Sequence, residues 1–176
     1  LNISGPIGFD GAVEFRRGGY QEDRVTSNWD VTLDLENAAI NCGAQISNMH
    51  GSVRFMGGNS ADGFFSRGEL DIDSLMYQGF QFTNVTGPLW IDPSQAAFGA
   101  WSENSQNGVP ARRVQARVLG GQVAGDLHVS LGRDKQFTVQ AQLDRADLQR
   151  FAREFLPRER QISGQASATV RISGSS

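Results

Sequence analysis

From Trp29 the chain alternates apolar and polar positions with a period of two. Trp29, Val31, Leu33 and Leu35 point one way; Asp30, Thr32, Asp34 and Glu36 point the other. That is a strand with one dry and one wet face. The run Ile40, Cys42, Ala44, Ile46 continues the alternation and predicts a strand of its own. The second half repeats it in Val114 to Val118, Leu127 to Leu131, Phe137 to Leu143 and Ile162 to Ile172. In Glu69 to Asp92 two such strands flank a tight turn at Gln78-Gly79, and a glycine corner at Gly87-Pro88 predicts a third. Turns are also expected at Gly57 to Ser60, and Asp92 to Pro110 reads as the longest loop, with a short strand at Ala97 to Trp101 inside it.

Glycine followed by alternating apolar residues recurs at Gly11, Gly51, Gly87, Gly125 and Gly164, spaced by 40, 36, 38 and 39 residues. A near-constant period of this kind predicts a repeating β unit. One segment breaks the alternation. In Asp144 to Leu156 the apolar positions are Leu148, Phe151, Ala152 and Phe155, the spacing of an amphipathic helix over about 145–156, with Asp144 as N-cap and Pro157 as stop.

Ten to twelve strands and one helix make a mainly β protein whose apolar face exceeds what a 12-residue helix covers. Two architectures remain: a large curved antiparallel sheet forming an open groove of glycine-cornered units, or a closed β-sandwich whose layers cover each other. The small residues Ala166 and Ala168 on the apolar face lean toward the groove, and the frequency of sandwiches leans the other way.

Composition narrows the chemistry. Hydrophobic content of 39% with 20% charged residues fits a folded domain, and 21 glycines against 5 prolines fit many turns. A net charge of −3 argues against a nucleic-acid groove. The single cysteine, Cys42, forms no internal disulfide and reads as a small hydrophobe. His50 and His128 have no partner at ligand spacing, and Asp71-Ile-Asp73 lacks the rest of a calcium loop. Gly120 to Gly125 lacks a P-loop lysine. The expectation is therefore no enzyme, no metal and no cofactor. Seven of the 16 basic residues fall between positions 133 and 160. Arg145, Arg150 and Arg153, with Leu148, Phe151 and Phe155, suggest an interfacial helix, set against a plainer reading as a helix packed on the sheet. A start at Leu1 and an end just after a strand suggest a segment, 1–176, of a longer polypeptide.

The unit from Leu70 to Ile91 (LDIDSLMYQGFQFTNVTGPLWI), the run Ile46 to Phe55 (ISNMHGSVRF), and Asp144-Arg-Ala-Asp-Leu148 followed by Ile162-Ser-Gly164 resemble the AsmA/TamB-like proteins of bacterial envelopes, in their C-terminal β-rich region. The resemblance implies a bridge-like lipid-transfer groove in the periplasm or cell envelope of a Gram-negative-type bacterium, acting in outer-membrane biogenesis. It implies membrane anchoring outside this segment, partners in lipid acyl chains and in the rest of its own chain, and no catalytic residues. The groove lining expected on this basis is Val31, Leu33, Leu35, Val53, Phe55, Leu70, Ile72, Phe80, Phe82, Leu89, Ile91, Leu127, Val129, Val139, Leu143, Val170 and Ile172. The competing expectation is a structural or adhesive β-sandwich that binds protein or carbohydrate through loops, with Trp90 and Trp101 as sugar platforms.

Overall fold

The computed structural model describes residues 2–17, 25–41, 45–60, 63–101, 111–132, 136–156 and 162–175. The period-two alternation produces one 11-stranded sheet in which every pairing is antiparallel. Strands β1 (Asn2–Ser4) and β2 (Ile7–Arg17) lie end to end along β3 (Val25–Asn41). The chain then meanders through β4 (Gln45–Ser60), β5 (Gly63–Tyr77) and β6 (Phe80–Ile91). Next, β7 (Gln95–Phe98) and β8 (Val114–Val118) share one lane between β6 and β9 (Gly121–Ser130). The sheet ends with β10 (Gln136–Asp147) and β11 (Gln165–Ser175). A 3-10 turn spans Gly99–Trp101, and the helix α1 spans Leu148–Phe155.

Several expected boundaries move. The glycine corners at Gly51 and Gly87 do not open new strands; they lie inside β4 and β6, which run through them unbroken. Both have positive φ, and a Cβ on them would fall 2.6 Å from the Ile72 Cα and 2.7 Å from the Val114 Cα respectively. The neighbouring strand's backbone therefore approaches where any side chain would stand, and glycine admits it without breaking the ladder. The expected turn at Gly57 to Ser60 is instead the end of β4: Gly57 to Asn59 pair with Trp29 to Ser27 on β3, and Gly57 to Ser60 pair with Ser66 to Gly63 on β5. Ile40 and Ile46, expected in one strand, belong to two strands and face each other across β3 and β4, while Cys42 and Ala44 lie outside the described residues. The tight turn at Gln78-Gly79 stands as expected, both residues having positive φ and joining the paired Tyr77 and Phe80.

Bulges interrupt the ladders of the sheet. The register shifts between Glu36 and Ala38, Ser47 and His50, Thr83 and Thr86, and Leu143 and Ala146. Each interval contains one non-glycine residue at positive φ: Asn37, Asn48, Asn84 or Arg145. An extra residue would turn all later side chains to the wrong face. Placing it in the left-handed region, which asparagine tolerates, absorbs it as a bulge. The next residue returns to the apolar face: Ala38, Met49 and Ala146 are buried and Val85 is half-buried.

The helix is shorter than its periodicity suggests. Because Arg145 forms a bulge and Ala146 packs inward, β10 continues to Asp147. Asp147, not Asp144, is the N-cap, accepting from the Gln149 and Arg150 amides at 2.8 and 3.3 Å. Pro157, the expected stop, lies outside the described residues.

Candidate functional site: one apolar face and its cleft

Cross-strand pairs share a face, so the register assigns each side chain to one side of the sheet. One row reads Val31, Phe55, Gly68, Leu89, Phe98, Leu127, Val139, Ile172. The adjacent row begins Phe9, Leu33, Val53, Leu70 and Gly87, and on the far lanes holds Gly125, Ala141 and Val170. Leu35, Ile72 and Leu143 extend the same face on one side, and Ile91 and Val129 on the other. Phe80 and Phe82 join it through their partners Tyr77 and Leu75. All the residues expected to line a groove therefore lie on one face.

That face is packed differently in its two halves. Leu35, Ala38, Met49, Val53, Ile72 and Leu89 form a buried cluster, with Phe55, Leu70, Leu75 and Phe98 against it. Leu89 and Ile72 are each only 2% exposed. In the other half, small side chains leave a cavity of about 490 Å³. Its floor is Phe82 on β6, Val118 on β8, Val123 on β9, Ala141, Leu143 and Ala146 on β10, and Ala166, Ala168 and Val170 on β11. Phe80 and the helix residues Leu148 and Phe151 also line it. Of the expected lining, Phe80, Phe82, Leu143 and Val170 line this cavity, whereas Leu35, Val53, Ile72 and Leu89 belong to the packed cluster. Val118 and Val123 are not among the expected lining, although the alternation of Val118 with Arg117 marks it as an apolar-face residue.

The helix lies across the mouth of the β5–β6 turn. The Phe155 ring packs at a tilt against Phe80 at 4.3 Å between centroids, and stacks on Phe151 at 5.4 Å. Arg150 and Arg153 are exposed. Arg145, expected on the helix, is on β10, and its amide donates to the Ser167 hydroxyl at 3.2 Å. Arg133, Lys135, Arg158 and Arg160 of the basic cluster lie outside the described residues.

The opposite face carries the polar partners. Arg54 grips Asp30 with two hydrogen bonds of 2.9 and 2.6 Å, and the bond from Arg54 is the leading cause that holds the Asp30 carboxyl below its usual range. Arg112 pairs with Glu69 in the same two-pronged way at 3.0 Å. Asp126, only 8% exposed, accepts from Arg113 Nε and from the Ala100 amide, both at 2.8 Å, which pins the 3-10 turn onto β9. At the β6–β7 turn, Asp92 accepts from Ser94, Trp90 and Gln95. Burial works to raise its pKa, and the bonds from Ser94, Trp90 and Gln95 together outweigh it, so the carboxyl stays well below the ordinary aspartate range. Trp90 is therefore committed: its indole donates to Asp92 at 2.8 Å and its ring stacks on Phe65 at 5.6 Å. Trp101 sits edge-on to His128. Among the described residues no group of three His, Cys, Asp or Glu side chains is placed to hold a metal ion, and no helix is long and apolar enough to cross a membrane.

What the site can do is hold an apolar body: apart from Asp147, every side chain that lines the cavity is apolar. Comparison with family models, with curated proteins and with solved structures finds no match for this chain.

Proposed function

We propose that this chain is a non-enzymatic lipid-holding segment of an envelope protein that transfers lipid and supports outer-membrane biogenesis, with acyl chains lying on the apolar face of its curved, open sheet. The observation that carries the reading is the cavity of about 490 Å³ set into a continuous apolar face, built where Ala141, Ala146, Ala166 and Ala168 replace the large side chains of the other half. A stability-driven core would fill that space, since each buried methylene contributes about 0.8 kcal/mol. An acyl chain gains the same amount per methylene when it enters. An open groove rather than a closed sandwich is supported by the two sheet borders: Phe15 on β2 is 72% exposed and Ile172 on β11 is 51% exposed, both on the apolar face.

The reading is tested by extracting lipid from the purified protein and identifying it by mass spectrometry, alongside Ala168→Glu. Ala168 lines the cavity yet is solvent-exposed, so a carboxylate there charges the cleft without entering the packed cluster. Acyl lipid bound to the native protein and absent from the variant is the expected result. Native protein that carries no lipid and takes none up from vesicles would overturn it.

A further inference from the structure

We infer that the cleft selects an amphiphile with an anionic head, and that Arg117 and Arg150 hold that head; this rests on the lipid-holding reading above. Beside the apolar cavity lies a second one of about 410 Å³ whose lining is polar: Gln81 and Thr83 from β6, Arg117 from β8, and Arg150 and Glu154 from α1. The two cavities share Val118 and Leu119 as a common wall. They adjoin for a topological reason. β6 and β8 pair no further than Phe82 with Val118, after which β8 turns away at Leu119-Gly120. Phe80 and Gln81 are left with no β8 partner, Phe80 facing the apolar cavity and Gln81 the polar one, and α1 lies over the gap.

The charges at this rim favour an anion. Two guanidinium groups face one carboxylate in the polar cavity. Asp147, which lines the apolar side, accepts from the Gln149 and Arg150 amides and pairs with Arg150 Nε at 3.8 Å, so Arg117 is the guanidinium left without an ion-pair partner among the described residues. Gln81 and Thr83 add neutral donors. A planar guanidinium grips a carboxylate or a phosphate with two parallel bonds, so the shared chemistry is an oxyanion at the end of an apolar tail.

Binding of oleate, oleoyl lysophosphatidate and uncharged oleyl alcohol is measured by displacement of a fluorescent fatty acid from the full chain. The native protein is expected to prefer at least one anionic ligand over the alcohol by about tenfold. Which anion is preferred tells whether the head is a carboxylate or a phosphate. The Arg117→Gln/Arg150→Gln variant is expected to lose that preference with alcohol binding unchanged, while Glu154→Gln strengthens it. All three positions are exposed, so thermal melting serves to verify that the variants fold. Equal binding of alcohol and anions, or a preference that survives the double substitution, overturns the inference and leaves the lipid-holding reading standing. Failure of all three ligands to bind overturns both.

Discussion

At the scale of single residues, the sheet is shaped by two devices that the sequence spells side by side. Asn48 precedes Gly51 by three positions, as Asn84 precedes Gly87, and in both pairs the asparagine forms the bulge and the glycine admits the neighbouring backbone. The glycine half of this pattern is readable from spacing alone. The asparagine half is not, because an asparagine in an alternating run looks like one more polar position. Gly51→Ala combines an unfavourable φ with a Cβ 2.6 Å from the Ile72 Cα, and is expected to lose about 2–3 kcal/mol in denaturant titrations. Asn48→Gly, which keeps the left-handed conformation accessible, is expected to change stability by less than about 1 kcal/mol.

Asp92 adds a dependence on pH at the same scale. A carboxyl with a depressed folded-state pKa gives stability that is complete above the unfolded value of about 4 and is lost as the pH falls toward the folded one. Its partial exposure limits the gain. Native protein should exceed Asp92→Asn by about 1 kcal/mol at pH 7, the gap closing below pH about 4. A gap that stays constant from pH 7 to pH 2 would show that the carboxylate charge plays no part.

Among the elements, the helix shows most clearly what periodicity can and cannot fix. The positions of Leu148, Phe151, Ala152 and Phe155 marked both its existence and the face it buries. Its start was misplaced by three residues because Asp144 and Asp147 are equally good caps in sequence. The choice between them depends on Arg145, whose bulge keeps β10 going until Ala146 has packed. Asp147→Ala is therefore expected to cost about 1 kcal/mol through the lost cap, and Asp144→Ala much less, in parallel thermal melts. Phe151→Ala removes both cavity wall and the stacking with Phe155, and should weaken acyl-chain binding more than it lowers stability.

Across the whole molecule, the alternation was enough to assign one face to the seventeen residues named as lining, since their identity as apolar positions survives any choice of strand order. What it could not supply was the division of that face. Whether Leu89 or Leu143 is packed depends on which side chains come opposite, and that depends on register through four bulges. Leu89 falls against Gly68 and Phe98 in the filled half, while Leu143 falls beside Val123 and Ala168 in the hollow one. The lane shared by β7 and β8 was equally out of reach, because it is joined by a stretch with no periodicity.

The central claim is that acyl chains lie on this one face, and cross-linking with a fatty acid that carries a photoreactive group along its tail tests it most directly. After irradiation and peptide mapping, the account predicts adducts at Phe82, Val123, Leu143 and Ala168, and none at the alternating neighbours Thr83, Gln122, Gln142 and Thr169. Adducts divided evenly between the two sets, or confined to the second, would contradict it.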